Sequence, residues 1–196
     1  MRYPKAFESL ITHFSSLPSI GPKMAERLVL YLFKQDETKL LAFAESLEGL
    51  KHLLSCRECF YISESELCAF CSDDSRDQTT ICVVEEPLDV IAIERTGSYH
   101  GLYHVLGGVL DAGKEDNALR VAELKSRVTE SSIEEVILAT NPTTEGDMTA
   151  YFLRTKLAGL PVKVTRIARG MATGGDIEYA DELTLSSSLE NRKTLS

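Results

Sequence analysis

EEVILATNPTTEGD, residues 134–147, decides the architecture. Its run Val136-Ile137-Leu138-Ala139 is short and continuously apolar, the pattern of a strand buried on both faces. The run stops at a polar loop, and MTAYFLRTKLAG (148–159) follows with helical spacing and a closing glycine. The same alternation repeats outward in both directions. ICVVE (81–85) reads as a strand and PLDVIAIERT (87–96) as a helix, with Pro87 near its start and Gly97 just past its end. YHVLGG (103–108) reads as a second strand, residues 115–130 as a helix, and PVKVTRIA (161–168) as a fourth strand. Strands alternating with helices specify an α/β fold with a mainly parallel sheet covered on both faces. Ligand sites in such sheets lie beyond the strand carboxyl ends. Two acidic clusters fall there: Glu85-Glu86, and the loop 141–147 carrying Glu145 and Asp147.

Upstream of the first strand, four of the five cysteines form one cluster. Cys56, Cys59, Cys68 and Cys71 spell C-x2-C, eight residues, C-x2-C. Each pair presents two thiolates from one tight turn, and two such turns complete a tetrahedral shell. The segment is too short and polar to bury a core of its own, so a metal staple supplies its folding energy. Disulfides are disfavoured in a cytosolic chain, and a thioredoxin-type dithiol uses one pair rather than two. Structural Zn2+ is therefore expected, with no open position for catalysis. Cys82, inside ICVV, reads as a buried core thiol.

The first third of the chain is helical in pattern. A helix is expected over 6–16, ending at Ser15-Ser16-Leu17-Pro18. A second runs over 22–34, with Met24, Leu28, Tyr31 and Leu32 near one face. A third runs over 38–54, with Leu40, Leu41, Ala44, Leu47, Leu50 and Leu54 as its apolar positions. Between the first two lies LPSIGPK (17–23). Gly21 and Pro22 open the second helix and leave backbone N–H groups unpaired, a setting that favours phosphate. Lys23 and Arg27, four residues apart, flank it on one face. An ordinary helical hairpin with solvated cations would carry the same residues.

Composition sets the outer limits. The 196 residues are 43% hydrophobic and 26% charged, which excludes global disorder. No apolar run approaches the ~18 residues that span a bilayer, and MRYPKAFESLITHF has no apolar signal core. A cytoplasmic protein with no membrane contact is expected. The net charge of −9 excludes a general polybasic coat. Residues 1–55 nevertheless carry seven Lys/Arg against six Asp/Glu, whereas 56–80 carry two against six and 81–196 twelve against eighteen. A polyanion is therefore met by the first third and repelled by the rest. None of His13, His52, His100 and His104 stands at a recognisable catalytic spacing, and Gly107-Gly108 and Gly174-Gly175 mark turns rather than a dinucleotide fingerprint.

These pieces carry resemblances. LPSIGPKMAERL resembles a helix-hairpin-helix, the motif that grips DNA backbone without reading bases, with Ser19 where the usual motif has its first glycine. The α/β part resembles a Toprim domain, the metal-dependent core of topoisomerases and some primases and nucleases. Active members place a Glu after the first strand and an Asp-x-Asp after a later one, to hold Mg2+. Glu85 matches the first position, but Asn141 and Thr143 stand at the Asp-x-Asp, so Mg2+ binding is at most weak. Glu145 and Asp147 remain, either as caps of the following helix or as partner contacts.

In motif order, ending in TRIARGMATGGDIEYADELTL, the whole chain is similar to the RecR family of bacterial recombination mediators. The resemblance implies a helix-hairpin-helix region over 1–55, a four-cysteine zinc finger over 56–79, a Toprim domain over 80–170 and a short helical packing segment over 171–196. It implies homodimers and ring-like homotetramers around single- or double-stranded DNA, without sequence preference. RecO, and in many bacteria RecF, are the implied partners in loading RecA. Gly21, Lys23 and Arg27 match the DNA-facing hairpin; Glu85, Asn141, Thr143, Glu145 and Asp147 match the partner-binding Toprim face. The expected function is a non-catalytic clamp and adaptor in DNA repair; the alternative is a Mg2+-dependent Toprim nuclease or primase-like enzyme. GGVLDAGKEDNA (107–118) and Met171-Ala172 depart from the family pattern in loops.

Overall fold

Ser16 to Gly21 breaks the N-terminal helical pattern into a hairpin. In the computed structural model, which describes residues 3–110 and 119–194, α1 (Lys5–Ser15) and α2 (Pro22–Phe33) pack against each other across it. Asp36 then caps α3 (Glu37–Gly49) by accepting a hydrogen bond from Lys39 N at 3.0 Å. A 3-10 turn, Leu50–His52, follows. These elements form one compact unit, Met1–Leu53; the second unit is Leu54–Ser196.

The N-terminal apolar faces differ from the expected ones. On α2 the buried residues are Ala25 and Val29, flanked by half-buried Leu28 and Leu32, while Met24 is 49% and Tyr31 63% exposed. Small Ala25 lets the helices approach, which rotates the buried stripe away from the bulkier residues. On α3 no residue is buried; Leu40, Leu41 and Leu47 are exposed, as is Leu50 in the 3-10 turn that follows. A unit of this size cannot bury every apolar face. Leu54 belongs to no helix but to β1 (Leu54–Ser55), which pairs antiparallel with β2 (Ile62–Ser63).

The second unit is built on four parallel strands: β3 (Asp77–Val84), β4 (Gly101–Val105), β5 (Glu135–Leu138) and β6 (Lys163–Arg166), in the order β4-β3-β5-β6. Strand alternation splits β3 between two cores. Ile81 and Val83 face Leu124 and Val128 of α5 (Val121–Glu130) and Leu153 and Leu157 of α6 (Thr144–Leu157). Cys82 and Val84 face Val90 of α4 (Pro87–Glu94) together with Phe60, Tyr61 and Phe70 of the cysteine segment. Cys82 is the buried thiol its sequence context requires, and burial pushes its pKa up to about 12. The α/β class and the coverage of both faces agree with the sequence, whereas β3 starts at Asp77, four residues before the expected strand, and β4 spans Gly101–Val105 where 103–108 is expected, because Gly107 and Gly108 turn the chain.

The cysteine segment thus covers part of one sheet face, beside α4. Val105 N–H donates to Cys59 O at 2.8 Å, tying β4 to that segment. Arg76 stacks over Phe70 and Tyr103, bonds Glu94 and donates from Nε to Gly101 O at 2.8 Å. The expected helix over 115–130 is described only from Val121, and residues 111–118 of GGVLDAGKEDNA lie outside the described residues. The chain closes with a 3-10 turn (Ile177–Tyr179) and α7 (Glu182–Glu190), whose cap Asp181 accepts from Thr184 N. Among the described residues no helix is long and apolar enough to cross a membrane.

Candidate metal centre, carboxylate edge and phosphate grip

The C-x2-C spacing brings Cys56, Cys59, Cys68 and Cys71 together, with one sulfur of each within 4.8 Å of the others. A tetrahedral ion ~2.3 Å from each sulfur places the sulfurs roughly 3.8 Å apart, so the four residues fit such an ion. Three are buried and Cys71 is half-buried. Phe60, at φ 64°, occupies the left-handed turn after the first pair. Cys68 N–H donates to Cys56 Sγ at 3.3 Å. The Cys59 and Cys68 sulfurs lie 3.4 Å apart, near the spacing that a shared tetrahedral ion imposes.

The parallel register of β3 and β5 carries Glu85 and the 141–147 loop to the same sheet edge. Glu85, 6% exposed, accepts the Asn141 N–H at 2.8 Å and the Asn141 Nδ2–H at 2.5 Å. Both carboxylate oxygens are therefore occupied by one amide residue. The Glu85 carbonyl accepts N–H from Gly107 and Gly108, each at 3.0 Å, and those glycines have φ of 83° and 141°. Gly146 is required by close approach, because a Cβ there would collide with Asn141 O and lie 2.9 Å from Glu85 Oε1.

Thr143 caps α6 by accepting from Gly146 N at 3.0 Å. Glu145 is exposed in the first turn of α6, where the helix dipole favours it. Asp147 is bonded by two arginines, one at the end of β6 and one just after it. Arg169 donates to both of its oxygens and Arg166 Nη2 donates at 2.6 Å, which together hold its carboxyl down at about 2. Arg166 and Arg169 belong to the string TRIARG, to which sequence reasoning assigns no site role. Their signal is two cations at the end of the last strand, where the parallel topology returns the chain to the Asp147 edge. A cleft of about 980 Å3 opens between this edge and α7, lined in part by Thr143, Asp147, Tyr151, Arg169 and Leu183.

At the N-terminal hairpin, Ile20 N–H donates to Leu17 O at 3.2 Å, closing the turn, and Ser19 takes φ 64°. Serine there accepts the left-handed geometry that glycine adopts without steric cost. Gly21 is the N-cap of α2, Pro22 brings no N–H, and Lys23 N–H opens the helix, the arrangement that receives anions. Lys23 and Arg27 are exposed, and neither is ion-paired among the described residues. His104 bonds Arg120 O through Nε2 at 2.7 Å, as a local hydrogen bonder should, but its buried Nδ1 has no partner among the described residues.

Comparison with known proteins covers nearly the whole chain. Residues 7–50 match the family model described as RecR, helix-hairpin-helix; residues 79–168 match the Toprim domain; residues 170–193 match RecR, C-terminal. Recombination protein RecR of Chloroflexus aurantiacus is 53% identical over 189 residues, 95% of this chain and 93% of that protein. The protein of the same name from Rubrobacter xylanophilus is 46% identical over 196 residues, 98% of each. That from Frankia casuarinae is 44% identical over 197 residues, 99% of each.

Proposed function

The chain belongs to the RecR family, with a role in recombination and repair, and from that premise we propose that it acts as a non-catalytic DNA-binding clamp and adaptor. In this reading Gly21, Lys23 and Arg27 of a helix-hairpin-helix region (1–55) hold the phosphate backbone, of single or double strands, without regard to sequence. Cys56, Cys59, Cys68 and Cys71 hold a structural Zn2+ in a finger over 56–79; the soft sulfur donors suit that ion, and four of them leave no open position. The Toprim domain (80–170) offers Glu85, Asn141, Thr143, Glu145 and Asp147 to RecO, and to RecF where the host carries it, in promoting RecA loading. The segment 171–196 packs subunits in a homo-oligomeric ring. The protein works in the cytoplasm, at the nucleoid.

One observation carries the choice of clamp over enzyme: the Glu85 carboxylate is bonded at both oxygens by Asn141. Hard cations need several anionic oxygens. Here the Asp-x-Asp positions are an amide and a helix-capping hydroxyl, and Asp147 is held by Arg166 and Arg169. A ring also answers the charge problem of a chain at −9, because several weak grips on one polymer add through effective concentration.

Binding of labelled DNA by the Lys23→Ala, Arg27→Ala double variant tests this function. Affinity should fall about equally for all sequences, and the slope of log affinity against log salt should drop by about 1–2. Unchanged binding removes the hairpin from the role. Incubating the parent with DNA and Mg2+ or Mn2+ should give no cleavage or primer synthesis; activity abolished by Glu85→Gln would establish the enzyme instead.

A further inference from the structure

We infer that Arg127 is the counter-charge of the four-cysteine centre, a positioning residue through which α5 reads whether that centre is filled. The inference rests on the metal-binding reading of the cysteines given above.

Four thiolates around a divalent cation carry a net charge of −2, and three of the four cysteines are buried. Buried charge of that size needs compensation. The cysteine segment cannot supply it, since residues 56–80 hold six acids and only two arginines. Both arginines are already engaged. Arg57 bonds Glu66 and approaches Glu58 at 3.7 Å, and Arg76 bonds Glu94.

The compensating cation comes from the α/β part. Half-buried Arg127 extends from α5 and donates two hydrogen bonds. Nη1 donates to Tyr103 O at 2.6 Å and Nη2 to Cys71 Sγ at 3.9 Å. Among the described residues, no other cationic side chain bonds any of the four sulfurs. Cys71 is also the most exposed of the four, so its sulfur loses most to solvent without a fixed donor.

The guanidinium fork therefore ties three things together: a ligand sulfur, the carbonyl of the buried Tyr103 on β4, and helix α5. Tyr103 in turn packs edge-to-face on Phe70, one residue from Cys71, with ring centroids 5.4 Å apart. A filled, anionic centre attracts the fork and seats α5; an empty one attracts it less. Groups that orient and neutralise ligands from outside the coordination shell typically set ~10–100-fold in metal affinity.

The test uses full-length parent, Arg127→Gln and Arg127→Lys proteins, loaded with Co2+ as a spectroscopic substitute and with Zn2+. Affinity is measured by competition with a chromophoric chelator. Arg127→Gln should bind both ions ~10–100-fold more weakly and shift the sulfur-to-cobalt charge-transfer bands. Arg127→Lys keeps the charge without the fork, so its affinity should fall between the two. Equal affinity and identical bands in all three overturn the inference, as do equal losses in both variants with unchanged bands, the result expected of a purely structural contact. If the Gln variant fails to fold, the Lys variant decides by the same readouts. A parent that binds neither ion brings down the metal reading itself, and Arg127 with it.

Discussion

Asn141 does with an amide what a catalytic site would do with an acid, and the difference can be tested at one atom. Asn141→Asp would set a second carboxylate against Glu85 in place of the side-chain hydrogen bond at 2.5 Å, leaving only the backbone N–H as a donor. Like charges at that distance force one group to stay protonated or the pair to separate. Without divalent ions the variant should lose about 1–3 kcal/mol, the usual value of a hydrogen bond to a charged group. Millimolar Mg2+ should restore part of that loss, read as a Mg2+-dependent rise in melting temperature that the parent lacks. Ser19 offers a change in the other direction. Its φ of 64° costs roughly 1–2 kcal/mol, partly offset because glycine would lose more entropy on folding. Ser19→Gly should therefore stabilise the chain by about 0.5–1 kcal/mol in urea unfolding. The missing acids at positions 141 and 143 are legible in the sequence because a residue type either can or cannot be an anionic ligand. The Asp147 pairing with Arg166 and Arg169 is not, because it joins groups about 20 residues apart whose meeting depends on where β6 ends.

Elements show the same division between local and long-range information. The strands and α4 are legible because apolar runs, Pro87 and Gly97 act over a few residues. The burial of α3 is not, because periodicity marks an apolar face without naming what covers it. The register of β3 and β5 brings Glu85 to Asn141, and only the loop lengths after each strand hint at it. The cysteine cluster is legible from its spacing, which predicts the four sulfurs that the fold brings together. Its energetic weight is measurable. Cys56→Ser, Cys59→Ser should abolish metal binding and, by removing the staple from a segment that packs Phe60, Tyr61 and Phe70 on the sheet, lower the melting temperature by more than about 10 °C, since removal of a structural metal costs several kcal/mol. Elemental analysis and thermal unfolding of both proteins check it; a variant that melts with the parent would show that the sheet does not depend on the segment.

For the whole molecule, stability should depend on pH through His104. It is fully buried, and burial holds its pKa down at about 4. The unfolded chain titrates near 6.5, so between pH 6.5 and 4 it takes up a proton that the folded protein refuses. Stability therefore falls as pH drops through that window, by up to about 3 kcal/mol. His104→Gln, which can still donate to Arg120 O, should flatten this slope in denaturant titrations at pH 7, 6 and 5; an unchanged slope would clear the residue. Asp147 acts in a separate window. With a folded pKa of about 2 against an ordinary 3.8, its pairing persists above pH 4 and is lost only as pH falls toward 2. Its partial exposure keeps that contribution small.

The cysteine segment occupies the sheet face where a parallel α/β protein would ordinarily lay a helix. On the metal reading proposed above, that part of the roof is conditional on supply of an ion. On that reading a cell starved of the ion would hold molecules with part of one sheet face bared, and the shortage would look like a truncation mutation although every codon is intact.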